Sequence, residues 1–215
     1  AYAKGIRNFD AAKILEAVQK ECVRVSDQEH LGRYAYDEYV SKGYISYPGH
    51  YQAVALTLEY AYDDFCAMKL AGMLGDEGLA QTFGQRAMNY ANLFDPSTGY
   101  MRPRGADGNW LAPFDPYKWG GPYTEANAMQ YSWSVFHDIA GLACAHGGAD
   151  RTEAKIDALF SAPTYPQQFG LYGVYFNEVG ETYSAGLGQY AHGHQPPQHI
   201  PYIYACIGKP WNTQV

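Results

Sequence analysis

The spacing of apolar residues along most of this chain is typical of α-helices, and the helical segments follow one another with stop signals between them. In the first segment, Ile14, Leu15, Val18 and Cys22 fall on one face. Seven helices are predicted, over residues 10–25, 31–42, 51–74, 76–93, 124–146, 151–160 and 197–206. No alternation of apolar and polar residues is long enough to build a sheet. The sequence therefore predicts an all-α fold.

Two stretches between the predicted helices are rich in helix-breaking residues. Residues 95–123 contain many Pro and Gly together with Trp110 and Trp119, and residues 161–196 are rich in Gly, Tyr and Pro. Loops this long in a compact domain usually carry function. Helices joined alternately by short turns and long loops suggest an α/α toroid. Seven helices fall short of twelve, so the expected fold is an incomplete (α/α)6 toroid, an arc of about seven helices that forms part of one domain spanning residues 1–215.

The composition excludes some classes of function. The net charge is −7 and no run of basic residues occurs, which argues against nucleic acid and anionic membranes as partners. No run reaches the ~18 apolar residues of a membrane span, and the chain shows no signal peptide. Tyr is abundant, with 21 residues, and its flat apolar ring with a polar tip suits contact with sugars as well as core packing. The start at Ala1, without Met, looks processed or truncated.

The four cysteines are widely spaced and form no CxxC pair. Cys66, Cys144 and Cys206 lie in strongly apolar helical segments. We expect buried free thiols, and one disulfide is the alternative.

Three carboxylates lie on the third predicted helix, whose other residues are apolar nearly all round. Glu59 and Asp63 are four residues apart and share a face, and Asp64 adjoins them. Buried carboxylates are costly unless they are paired. They either pair with Arg or cap helices, or they bind sugar hydroxyls or a cation.

The fifth predicted helix begins at Thr124, beside the first long loop, with Glu125 in its first turn. Asn127 and Gln130 begin a polar stripe on an otherwise core-like helix. Glu125 either satisfies the helix dipole or acts as an acid. A general acid must keep its proton near neutral pH, which the positive end of the dipole opposes.

Three histidines, His192, His194 and His199, lie within eight residues before the last helix. They suggest a transition-metal site only weakly, since no Cys or carboxylate joins them. Packed or hydrogen-bonded histidines near a sugar site fit the pattern equally well.

At these residues the chain resembles glycoside hydrolase family 92, the calcium-dependent exo-α-mannosidases. The resemblance rests on five blocks in the family's order: 57–65 (TLEYAYDDF), 92–102 (NLFDPSTGYMR), 123–131 (YTEANAMQY), 188–193 (GQYAHG) and 208–214 (GKPWNTQ). It implies an (α/α)6 catalytic domain that packs on an N-terminal β-sandwich. It also implies inverting hydrolysis of terminal α-mannosides outside the cytoplasm (secreted, periplasmic or at the cell surface), with a calcium ion near the sugar.

The resemblance also implies roles for individual residues. Glu125 takes the place of the family's general acid. Asn127, Gln130 and His192 would lie near the sugar. Asp63 and Asp64, as carboxylates on an otherwise apolar helix, are also expected to bind the substrate.

The chain departs from the family at the expected calcium site. The family usually reads Gly-Asn-Glu-Pro here, and its Glu binds calcium; this chain has His194 and Gln195 instead, which become the expected metal ligands. An amide offers an oxygen without charge, so calcium affinity should fall. Met129 and Phe65 also replace two usual Trp residues.

The family's general base lies in a block downstream of the Trp-x-Thr-Gln tail, beyond Val215. Inversion needs two carboxylates roughly 6.5–9.5 Å apart. We therefore expect this chain to be inactive without the remaining segments of the same enzyme. A non-catalytic glycan-binding or structural relative, and a generic helical scaffold, are the alternatives.

Overall fold

The computed structural model describes residues 1–23, 32–164, 170–173 and 177–214, and these are mostly helical. The α-helices are α1 (Ala11–Val23), α2 (Tyr36–Lys42), α3 (Ala53–Met73), α4 (Glu77–Ala87), α5 (Ala128–Tyr131), α6 (Ile139–His146), α7 (Ala149–Ser161), α8 (Asn177–Ala185) and α9 (Ile200–Cys206). Short 3-10 helices cover Tyr2–Lys4, Met88–Leu93, Gly170–Tyr172 and Pro210–Gln214. The helical class is confirmed, and the toroid stays a prediction.

The predicted end of the first helix at residue 25 and the predicted start of the second at residue 31 lie outside the described residues. So do residues 165–169 and 174–176 of the second predicted loop, and residue 215.

The chain divides into two compact units, and the first comprises residues 1–45 and 56–92. Its core includes Cys22, Ala67 and Phe83, against which Val18 and Met68 pack. The helix ends follow local chemistry. The Asp76 carboxylate caps α4 by accepting from the amide of Leu79 at 3.0 Å. Gly43 ends α2 in the left-handed conformation that glycine adopts without strain.

The second unit comprises residues 46–55 and 93–214 of the described chain. Helices α6, α7 and α9 pack together, and α9 packs on the 3-10 helix Pro210–Gln214. Its fully buried side chains are mostly aliphatic and include Trp133, Leu142, Ile156, Leu159, Ile200 and Ile203.

The structure corrects the prediction of one helix over residues 124–146. Asn127 caps α5, which begins at Ala128 and ends after four residues at Tyr131. Asp138 then caps a separate helix, α6, by accepting from the amide of Gly141 at 2.8 Å. Asn and Asp favour N-caps over helix interiors, and this local preference divides an otherwise continuous apolar pattern.

Two further differences concern the predicted loops. Helix α8 lies within the second one. Two short antiparallel strands, β1 (Phe94–Asp95) and β2 (Tyr100–Met101), form a hairpin where the first loop begins. The Asp95 carboxylate closes the turn by accepting from the Ser97 amide and from Arg102.

The cysteine prediction is wrong in part. All four are free thiols, but Cys66, Cys144 and Cys206 are exposed and only Cys22 is buried. These three cysteines were predicted to be buried because their neighbours along the helices are apolar, but each lies on an exposed position of its helix.

Candidate active site

Glu125 lies just before α5 rather than in its first turn. Its backbone has φ +50°, the left-handed region that a non-glycine residue rarely adopts. The residue is exposed, whereas its neighbours Ala126 and Asn127 are fully buried. Asn127 is the N-cap and the helix has only four residues, so this geometry disfavours the alternative in which Glu125 satisfies a helix dipole.

Asn127 and Gln130 form a capping box at the start of α5, and both are fully buried. The Asn127 amide donates to Oε1 of Gln189 at 2.8 Å, and the Gln130 amide donates to the backbone carbonyl of Gln189 at 2.8 Å. Neither side chain has exposed surface in this unit. They hold the segment around Gln189, and their predicted contact with a sugar stays a prediction that this geometry disfavours.

Gln189 joins three parts of the second unit, a role that its sequence pattern does not predict. Besides binding Asn127, its side chain donates to the carbonyl of Pro163 at 2.8 Å, and its backbone amide donates to the carbonyl of Leu159 at 2.9 Å. A glutamine beside the Ala-His of its block was the only signal in the sequence.

His192 is exposed and lines a cleft of about 850 Å³ in the second unit. Its Nδ1 contacts the hydroxyl of Tyr190. The cleft also has Asp157, Tyr202 and Asn212 in its wall. Among the described residues that line it, Glu125 is absent, so the cleft and the candidate acid are distinct features.

His194 is buried, with 1% of its surface exposed, and its ring packs against Trp119 with 6.0 Å between ring centroids. Its Nε2 contacts the backbone carbonyl oxygen of Glu125. His199 similarly binds the carbonyl of Trp133 at 2.7 Å. Each of the three clustered histidines therefore contacts a polar group of the protein, as the hydrogen-bonded alternative anticipated.

The expected calcium ligands do not make a calcium site by themselves. Calcium takes six to eight oxygen ligands. Gln195 is exposed and offers one amide oxygen, whereas His194 offers a nitrogen whose ring partner is already bound to Glu125. Within the described ranges, no group of three or more His, Cys, Asp or Glu residues could hold a metal ion. Taken alone, His194 and Gln195 therefore do not supply the ligands that the ion needs.

Asp63 and Asp64 belong to the first unit and have different surroundings. Asp64 is fully buried and binds Arg33 at 2.7 Å and the Tyr39 hydroxyl at 2.9 Å, with Arg86 at 3.5 Å. Burial raises the pKa of the Asp64 carboxyl, and the two arginines oppose that rise. Asp64 therefore has the ion pairing that was one of the two alternatives, while Asp63 is exposed.

Other side chains of the protein lie against three aromatic rings of the first predicted loop. Trp119 is buried against His194. The guanidinium groups of Arg104 and Arg102 lie over the rings of Trp110 and Phe114, at 4.5 and 5.1 Å from the ring centroids. Trp119 is therefore closed to a sugar, and Trp110 and Phe114 each have one face covered by a guanidinium group.

Comparison with known proteins now identifies the class. The model of the glycosyl hydrolase family 92 catalytic domain matches residues 1–215, so the chain belongs to this family. A curated relative, an uncharacterized secreted glycosidase from Arthroderma benhamiae, is 28% identical over 74% of this chain and 25% of its own length.

Solved structures agree. A family GH92 inverting mannosidase from Bacteroides thetaiotaomicron VPI-5482 is 42% identical with a TM-score of 0.85, over 100% of this chain and 29% of that one. A GH92 α-mannosidase from Bacteroides thetaiotaomicron, in complex with mannoimidazole, is 30% identical with a TM-score of 0.83, over 98% and 27%. The chain thus spans between a quarter and a third of its relatives' length.

In the part of the chain that the structure describes, every helix is too short or too polar to cross a membrane.

Proposed function

We propose that this chain is the acid-bearing part of an inverting exo-α-mannosidase that removes terminal mannose from glycans. The observation that carries the proposal is the exposed position of Glu125, on a left-handed backbone directly before the buried, hydrogen-bonded residues Ala126 and Asn127. Such an arrangement holds one acid in a fixed place, as acid catalysis requires. The mannosidase neighbours support mannose as the substrate.

In the proposed reaction, Glu125 donates its proton to the glycosidic oxygen as the bond to the anomeric carbon breaks. A carboxylate on another segment of the full-length enzyme accepts a proton from the attacking water on the opposite face, which inverts the anomeric configuration. The 215-residue chain alone is accordingly inactive. The secreted glycosidase among its relatives supports a site of action outside the cytoplasm.

Asp63 and Asp64 receive different roles in this proposal. The exposed Asp63 is available to bind a sugar hydroxyl. Asp64 is buried in contacts with Arg33 and Tyr39, so it stabilises the fold and does not bind the substrate.

The test compares leaving groups in the full-length enzyme. With a mannobioside, whose leaving group needs a proton, Glu125→Gln should lower kcat by about 10²–10⁴-fold. With 2,4-dinitrophenyl α-mannoside, whose leaving group departs unprotonated, the loss should be small. Glu77→Gln, an exposed glutamate in the first turn of α4, is the matched control. Full turnover of the mannobioside by the Glu125→Gln enzyme would refute the assignment.

A non-catalytic glycan-binding relative is the second candidate, and Gln195 favours it, because an amide stands where the family places a charged calcium ligand. Binding of mannose without hydrolysis, unchanged by a chelator, would select it over the enzyme.

A further inference from the structure

Contacts with other residues are needed to keep the Glu125 backbone in its left-handed conformation. A non-glycine residue in the left-handed region is strained by contact between its Cβ and the following carbonyl. Such a conformation persists only where surrounding contacts enforce it. In the described chain, Ala35 and Gln52 are the other non-glycine residues with positive φ. Of these three residues with positive φ, Glu125 is the one proposed as the acid.

The contacts that enforce it lie at Glu125 itself and at the two residues that follow it. On the following residue, the Ala126 carbonyl accepts from the Gly120 amide at 2.9 Å, and Asn127 is fixed by its capping box. At Glu125 itself, the carbonyl oxygen accepts from Nε2 of His194. A carbonyl can only accept, so Nε2 carries the proton in this contact.

His194 is itself held firmly. Its ring packs on Trp119, and its own amide donates to the carbonyl of Ala191 at 3.3 Å. The preceding residue, Gly193, donates its amide to the Glu181 carboxylate. With 1% of its surface exposed, His194 has no route to a substrate other than through the backbone of Glu125.

We propose that His194 is a positioning residue, which holds Glu125 in the left-handed conformation and so fixes the direction in which its carboxyl group projects. This inference rests on the proposed role of Glu125 as the acid. One neutral hydrogen bond supplies about as much energy as the left-handed conformation costs. Loss of the His194 donor therefore frees the peptide to rotate into an unstrained region and carries the carboxyl away from the glycosidic oxygen.

A matched pair of variants of the full-length enzyme separates the donor from side-chain bulk. His194→Gln keeps an N–H at similar reach, whereas His194→Met has similar length and no donor. We expect His194→Met to lower kcat on the mannobioside about 10- to 100-fold, with KM little changed. Turnover of 2,4-dinitrophenyl α-mannoside should change much less, and His194→Gln should recover at least part of the loss.

His199→Met is the control for a general effect on packing, because His199 donates similarly to a carbonyl, that of Trp133, away from Glu125. It should not distinguish the two leaving groups. Equal losses on both substrates in His194→Met, or no difference between the Gln and Met variants, would overturn the inference. If the Met variant does not fold, His194→Ala is assayed with added imidazole. A gain in turnover confined to the mannobioside supports the inference, and no such gain overturns it.

Glu125→Gln assayed in parallel separates the two proposals. If that variant keeps full turnover of the mannobioside, the proposed function fails. If it loses turnover while His194→Met does not, only the positioning role fails.

Discussion

Asp64→Asn should destabilise the protein strongly, whereas Asp63→Asn should not. Asp64 is fully buried with its partner Arg33, whose side chain is 4% exposed, and their charged atoms are 2.7 Å apart. At an effective dielectric constant of about 20, this separation corresponds to a gross attraction of about 6 kcal/mol. Burial removes hydration from the Asp64 carboxylate and so raises its pKa, and this loss of hydration offsets much of the attraction.

The variant loses the attraction but keeps the cost of burying Arg33. Breaking a buried pair from one side costs about 3–5 kcal/mol. At roughly 2–4 °C per kcal/mol for a chain of this size, the midpoint of thermal unfolding should fall by about 6–20 °C. The shift will be smaller in the longer full-length protein. Asp63→Asn, at the adjacent exposed position, should change the midpoint by no more than about 2 °C.

A double variant sharpens the assay, which is thermal unfolding followed by tryptophan fluorescence. Arg33→Met combined with Asp64→Asn removes both charges of the closest pair, so it should recover part of the stability lost in Asp64→Asn alone, while Arg86 still lacks its partner carboxylate. The reasoning is refuted if Asp64→Asn and Asp63→Asn unfold at the same temperature. It is equally refuted if Asp64→Asn only raises KM, since that would assign Asp64 to the substrate.

Three further predictions test the second unit. Gln189→Leu leaves the buried side-chain amide of Asn127 without its acceptor and should lower the free energy of unfolding in urea by about 2–4 kcal/mol. Gln195→Leu, at an exposed glutamine, should leave it almost unchanged. Burial lowers the pKa of His146 from 6.5 to about 4, so the folded state favours its neutral form. This contribution to the free energy of unfolding is complete above pH 6.5 and should fall by about 2–3 kcal/mol as the pH drops toward 4. His146→Phe should make the free energy of unfolding depend less steeply on pH in this range. Gln195→Glu supplies a charged oxygen ligand and should raise the apparent calcium affinity of the full-length enzyme about tenfold in a chelator titration, whereas Gln198→Glu should not.

Helix positions were largely predictable because apolar periodicity and capping residues act between neighbours along the chain. Asp76 begins α4 and Gly43 ends α2 as their residue types suggest. The helix predicted over residues 124–146 was wrong because two competing caps, Asn127 and Asp138, each set a new helix start.

The sequence by itself determined the helical class, and its ordered blocks indicated the family that the comparisons then showed. It also singled out candidate site residues, among them Glu125, Asn127 and His194. Tertiary structure alone decided which of those residues face solvent and which are bound within the protein. The partners that decide this are distant in sequence: Arg33 is 31 residues from Asp64, and Glu125 is 69 residues from His194. Local patterns cannot encode such pairs, because they form only when packing brings separate segments together.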